Sequence, residues 1–110
     1  MRELTEDKLD EIVADSNKII VMLGAAWCGG CKKAKPIFEK ISTEYDDVEF
    51  LFVDADKFPN SRRFVYQYVG NKKGIPTFAL FEDGGFITYR VTSLESNIRK
   101  LFDNFTNIKN

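Results

Sequence analysis

The residues best suited to chemistry in this 110-residue chain are its two cysteines, in the run Gly24-Ala25-Ala26-Trp27-Cys28-Gly29-Gly30-Cys31. Two Cys three residues apart at the opening of a helix lie on one face, close enough to form a disulfide or share a metal. The helix N-terminus presents free N–H groups and the positive end of the backbone dipole, and both stabilise a thiolate. Cys28, at the edge of the turn, is expected to be exposed and nucleophilic. Cys31, one turn in, is expected to be more buried and to act as the resolving thiol. Attack by Cys28 on a disulfide gives a mixed disulfide, from which Cys31 releases the product; the reverse run oxidises a dithiol. Gly29 and Gly30 would let the backbone turn tightly beside the sulfurs and let a partner chain approach. Half of a zinc site is a weaker reading, because the chain has no His and no further Cys to complete the shell. Two unrelated buried thiols are the bland alternative.

The rest of the composition narrows the class. Sixteen Lys and Arg against seventeen Asp and Glu give a net charge of −1, so no overall field draws the chain to nucleic acid or membrane. No apolar run reaches the length of a membrane span. Residues Met1 to Lys8 lack the apolar core of a signal peptide, which makes a cytoplasmic location the expectation. Only two Cys, both inside one motif, argue against a structural disulfide framework. The length suits one domain over 1–110, a monomer, with neither metal nor other cofactor required.

These two cysteines must be positioned by the surrounding elements. Residues 5–16 suggest a first helix capped by Thr5, with Leu9, Ile12 and Val13 on one face. Ile19 to Leu23 is a short β-branched-rich apolar run, the pattern of a strand buried on both faces. After the cysteines, Ala34, Ile37, Phe38, Ile41 and Tyr45 recur at helical spacing, interrupted by Pro36, where a kink is expected. Val48 to Val53 forms a further strand and residues 60–70 a third helix, with Phe64, Val65, Tyr68 and Val69 inward. Gly70 to Gly74 is a loop. Thr77 to Phe81 and Phe86 to Val91 are strands across the turn Asp83-Gly84-Gly85. A last helix starts near Ser93, with Leu94, Ile98, Leu101, Phe102 and Phe105 inward. Strands separated by helices imply parallel pairing, with the closing hairpin adding an antiparallel edge. The expected class is α/β: a mixed sheet of four to five strands with helices on both faces.

Trp27-Cys28-Gly29-Gly30-Cys31-Lys32, the helical Pro36 and Gly74-Ile75-Pro76-Thr77-Phe78 at a strand entry together resemble the thioredoxin family, from about Asp15 to the C-terminus. The resemblance implies a thioredoxin fold and a thiol–disulfide oxidoreductase acting on protein disulfides or dithiols, recharged by a partner such as a thioredoxin reductase. It implies a cis Pro76 facing the Cys pair, with the Ile75 backbone pairing an extended substrate chain as an added strand. It also places Trp27 beside the nucleophile as part of the docking surface, against the plainer reading of a core aromatic.

Departures from the family pattern bear on partners. Gly30 stands where Pro is usual between the cysteines. Met22 occupies the position of a buried Asp that assists the resolving Cys, and Phe50 is taken to replace the Lys that accompanies it. Thr92 stands where a docking-groove loop usually has Gly. The stretch from Asp54 to Pro76 is longer than usual and carries Arg62, Arg63, Tyr66, Tyr68, Lys72 and Lys73, more simply an exposed helix and loop than a nucleic-acid site. Lys32 and Lys33 either add positive potential near the thiolate or are solvated. The first strand looks cut down to Arg2–Leu4. A cytoplasmic disulfide reductase is the favoured function. The alternatives are a specialised oxidase, isomerase or single-client redox protein, and a binding module on the same fold that does not use its dithiol.

Overall fold

The computed structural model describes residues 1–70 and 74–108. Its elements run β1 (Arg2–Glu3), α1 (Leu9–Asp15), β2 (Lys18–Gly24), α2 (Gly29–Ser42), β3 (Glu49–Asp54), α3 (Pro59–Val69), β4 (Thr77–Glu82), β5 (Gly85–Val91) and α4 (Glu95–Leu101), which continues into a single 3₁₀ turn at Phe102–Asn104. The five strands form one mixed sheet in the order β1-β3-β2-β4-β5. Strands β1 and β2 lie parallel to β3, and β4 lies antiparallel to both β2 and β5.

Alternation along the three central strands builds two cores, because successive strand side chains leave opposite faces. Ile20, Met22, Phe50, Phe52, Phe78 and Leu80 pack with α2 and α4 residues such as Ala34, Phe38, Ile41 and Ile98. Ile19, Val21, Leu23, Leu51, Val53, Ala79 and Phe81 pack with Leu9 and Val13 of α1 and Val65 and Val69 of α3. Covering β2 on both faces explains its unbroken apolar run. On the α2 face an aromatic cluster forms: Tyr45 stacks on Phe102 at 4.3 Å, and Phe38 lies 5.1 Å from Phe50 and 5.4 Å from Phe78. At the surface, Arg99 of α4 forks onto both carboxylate oxygens of Glu44 and reaches Glu95, tying α4 to the end of α2.

Several sequence expectations change. Helix α1 begins at Leu9 rather than at residue 5, with Lys8 at its N-cap and no capping bond from the Lys8 side chain. The polar residues before it serve a neighbour: the Asp7 carboxylate accepts the N–H groups of Asn60 and Ser61 at the start of α3, and Ser61 Oγ accepts the N–H of Leu9. Each helix start thus supplies the cap of the other. Arg2–Glu3 is a true, very short strand, so the order begins with β rather than α. Leu94 is exposed, outside the buried face of α4. Part of the expected Gly70–Gly74 loop, residues 71–73, lies outside the described residues.

The largest change is the direction of β4. Although α3 separates it from β3, β4 is antiparallel to β2. Asp54 at the end of β3 pairs with Gly24, and Thr77 at the start of β4 pairs with Leu23. The excursion through α3 therefore leaves and re-enters the sheet at the same end and cannot return the chain in a parallel sense. The β4–β5 turn has positive φ at both Asp83 (52°) and Gly84 (82°), the two-residue geometry that matches strand twist.

Phe38 is fully buried where α2 meets β3 and β4. Phe38→Ala is expected to destabilise the fold by about 3–5 kcal/mol, read as a lower midpoint in urea denaturation. A loss below about 1 kcal/mol would contradict this packing.

Candidate active site

The ends of β2 and β3 and the beginning of β4 lie together, so the segments at residues 25–28, 55–58 and 74–76 meet over the carboxyl end of β2, where open α/β sheets generally carry their sites. Cys28 is the N-cap of α2, with extended backbone, and its Sγ accepts the backbone N–H of Cys31 at 3.2 Å. An oxygen usually fills this role; a sulfur here takes one of the helix's unpaired donors. From the other side the Cys28 thiol donates to the Ile75 carbonyl oxygen at 3.6 Å. The Ile75–Pro76 bond is cis. The sulfur therefore has an acceptor for its proton and a donor for the negative charge left when the proton goes. Both cysteines are free thiols.

Cys28 is only 6% exposed and Cys31 3%. The expected exposure of Cys28 is not met, because the Ile75 carbonyl lies against the sulfur. Its access is a groove of about 640 Å³ walled by Trp27, Asp56, Arg62, Tyr66 and Ile75. Trp27 is 70% exposed, which excludes a core role, and its Nε1 donates to Asp56 Oδ2 at 2.8 Å. The indole is thus fixed as an open wall of the groove. Arg62, expected on an ordinary exposed helix, reaches the groove while donating to the Ala55 carbonyl, and Tyr66 follows one turn later. Lys72 and Lys73 lie outside the described residues.

The two glycines of the motif play different parts from those expected. Neither has positive φ, so neither is needed for a tight turn; both sit in the first turn of α2. A Cβ on Gly29 would meet open space, whereas one on Gly30 would stand 3.2 Å from Pro76 Cδ. Gly30 thus permits the close approach of the proline loop. Thr92 donates its backbone N–H to the Pro76 carbonyl, which places it beside the loop. Its hydroxyl is turned away, accepting from the Leu94 N–H and from Asn97 Nδ2.

Sequence reading passed over Gly24 and Asp56. A Cβ on Gly24 would lie 3.0 Å from the Phe52 ring and 3.1 Å from Cys31 Sγ. The signal was a glycine ending an apolar strand four residues before the nucleophile. Phe50 is not placed to replace the cation that would accompany an acid at position 22: register pairs Met22 with Phe52, while Phe50 pairs with Ile20 and joins the aromatic cluster. Phe52, not Phe50, stands beside Met22, and its ring borders Gly24 together with Cys31 Sγ. Among the described residues no group of three or more His, Cys, Asp or Glu is placed to hold a metal ion, and no helix is long and apolar enough to cross a membrane.

A reactive dithiol set this way over a mixed sheet defines a class of proteins that exchange disulfides, and comparison with known proteins supplies the family. The thioredoxin family model matches residues 1–104, and the chain belongs to that family. It is 38% identical over 96 residues to the putative thioredoxin-4 of Dictyostelium discoideum, covering 87% of this chain and 86% of that protein. It is 32% identical to a thioredoxin of Mycoplasmoides gallisepticum, covering 88% and 93%. Among solved structures, Schistosoma mansoni thioredoxin matches with a TM-score of 0.81 at 27% identity, over 94% of this chain and 93% of that one. The protein is a thiol–disulfide oxidoreductase of a family that acts on protein disulfides and is reduced by thioredoxin reductase.

Burial pushes the Cys31 thiol up from near 9 to about 12, and its hydrogen bond with Cys28 adds to the effect. Between those values the unfolded chain has released the Cys31 proton and the folded chain still holds it, so this group's contribution is lost as pH rises through that window. The reduced protein is expected to lose unfolding free energy from about pH 9 upward, more steeply than Cys31→Ser. Denaturation curves at several pH values check this, and parallel slopes for the two proteins would rule it out.

Proposed function

We propose that this chain is a single-domain, monomeric protein disulfide reductase of the cytoplasm, with Cys28 as nucleophile and Cys31 as resolving thiol. The observation that carries the reading is the Cys31 N–H aimed at Cys28 Sγ from the first turn of α2. This donor stabilises the developing thiolate at the floor of the groove walled by Trp27, Tyr66 and Ile75. Cys28 attacks one sulfur of a substrate disulfide; that S–S bond breaks, and the other substrate sulfur leaves as a thiolate and takes up a proton. Cys31 then attacks Cys28, the mixed disulfide breaks, and the substrate departs reduced by two electrons. A thioredoxin reductase returns the Cys28–Cys31 disulfide to the dithiol. Trp27 and the Ile75–Pro76 backbone form the docking surface, with Gly29 leaving open space and Gly30 admitting Pro76. A chain whose two cysteines both belong to the redox motif suits a reducing compartment.

Dithiothreitol-driven reduction of insulin is expected to be accelerated by the wild-type chain and not by Cys28→Ser. Cys31→Ser is expected to accumulate covalent adducts at Cys28 that a reductant releases. Absence of turnover in the wild type would refute the reading. A measured potential clearly more oxidising than the glutathione pool would point to an oxidase instead.

A further inference from the structure

The resolving step needs the Cys31 proton to leave, and burial works against its release. Neither neighbour on the sheet helps: Met22 and Phe52 carry no titratable group. A second cavity, about 340 Å³, reaches Cys31 and shares no lining residue with the groove over Cys28. Its inner wall is Ala25, Phe52 and Cys31, while its rim carries the exposed Glu3 together with Lys35. This volume is ample for several water molecules in contact with polar groups.

The rim groups are placed by the sheet and by α2. Register sets Glu3 beside Phe52, Phe52 beside Met22 and Met22 beside Phe78, one continuous row on the α2 face. Glu3 is therefore two strands, about 10 Å, from Met22 along that row. Lys35 lies one helical turn beyond Cys31; its Nζ stands 4.1 Å from the centre of the Phe52 ring and 3.4 Å from Glu3 Oε2. An acid and a cation thus share one cavity with the buried thiol. The other charged groups facing it serve differently. Asp54 Oδ1 accepts the N–H groups of Asp56 and Lys57, which holds that carboxylate in the turn after β3, and unlike Glu3 it has no ion pair with Lys35. Lys32 and Lys57 contribute positive charge only. Cys28 is disulfide-bonded at this stage and uncharged.

We propose that Glu3 accepts the Cys31 proton through water in this cavity, with Lys35 as a positioning residue that holds the carboxylate at the mouth. The inference rests on Cys31 being the resolving thiol. As the proton passes to Glu3, the Cys31 thiolate attacks Cys28 and the Cys28–substrate S–S bond breaks. The Cys28–Cys31 bond forms, and the substrate thiolate takes a proton from solvent. The dithiol gives up two electrons to the substrate, and Glu3 returns its proton to solvent. A two-residue edge strand thereby supplies an acid–base group to the centre of the site.

Stopped-flow reaction of the reduced protein with dithiobis(nitrobenzoate) separates the steps, since attack by Cys28 releases one coloured thiolate and resolution by Cys31 releases a second. Glu3→Gln is expected to leave the first phase unchanged and slow the second about threefold or more near pH 7, with the gap closing toward pH 9 as hydroxide takes over. Lys35→Met is expected to slow the same phase. Glu39→Gln, a charge control elsewhere on α2, is expected to change neither. A smaller effect of Glu3→Gln, an equal effect of Glu39→Gln, or equal slowing of both phases would overturn the proposal. A wild-type protein with no first phase would instead remove the disulfide-exchange reading itself.

Discussion

The hydrogen bond from the Cys31 N–H to Cys28 Sγ sets the conditions for the rest of the site. A helix start must find partners for its free donors, and here one partner is the sulfur that does chemistry. The same contact that orders the first turn of α2 prepares the sulfur to carry charge. It also fixes Cys31 one turn deeper, next to Gly24, whose missing side chain leaves room for the second sulfur. Structural capping and chemical activation are one interaction, so the reactive pair is as rigid as the helix that follows it.

Rigidity in turn comes from the sheet. Because β2 is covered on both faces, its end is held by two cores, and the segments leaving β2 and β3 and entering β4 are fixed relative to one another. The antiparallel course of β4 brings Ile75 and Pro76 to the dithiol, with the Ile75 carbonyl on Cys28 and the Pro76 carbonyl tied to Thr92. Trp27, anchored by Asp56, and Arg62 and Tyr66 from α3 complete a groove whose polar wall distinguishes this chain from a bare apolar slot. On the opposite side of Cys31, the sheet row ending at Glu3 replaces a group at the centre with one at the edge.

Much was legible in the sequence wherever the signal was local. The Cys-Gly-Gly-Cys run opening an amphipathic helix, the β-branched run of β2 and the Asp83-Gly84 turn each carry their structure in a few neighbouring residues. The start of α1 is not legible locally: Thr5 looks like a cap in isolation, while Asp7 is drawn to α3 by donors 53 and 54 residues away. Alternation puts both Phe50 and Phe52 on the face of Met22, and only the pairing register shows that Phe52, not Phe50, stands where the accompanying cation is expected.

The sequence by itself determined the reactive groups, the helix that carries them, the two-faced character of the central strand and the family. These follow from side-chain chemistry and from periodicity along the chain. The tertiary structure alone decided that Cys28 lies at the floor of a groove, that β4 runs against β2, that Gly30 lies against Pro76 rather than in a tight turn, and that Glu3 and Lys35 share a cavity with Cys31. Each depends on residues far apart in the chain meeting at one end of the sheet. Spacing along a sequence does not contain that distance; pairing register and packing create it.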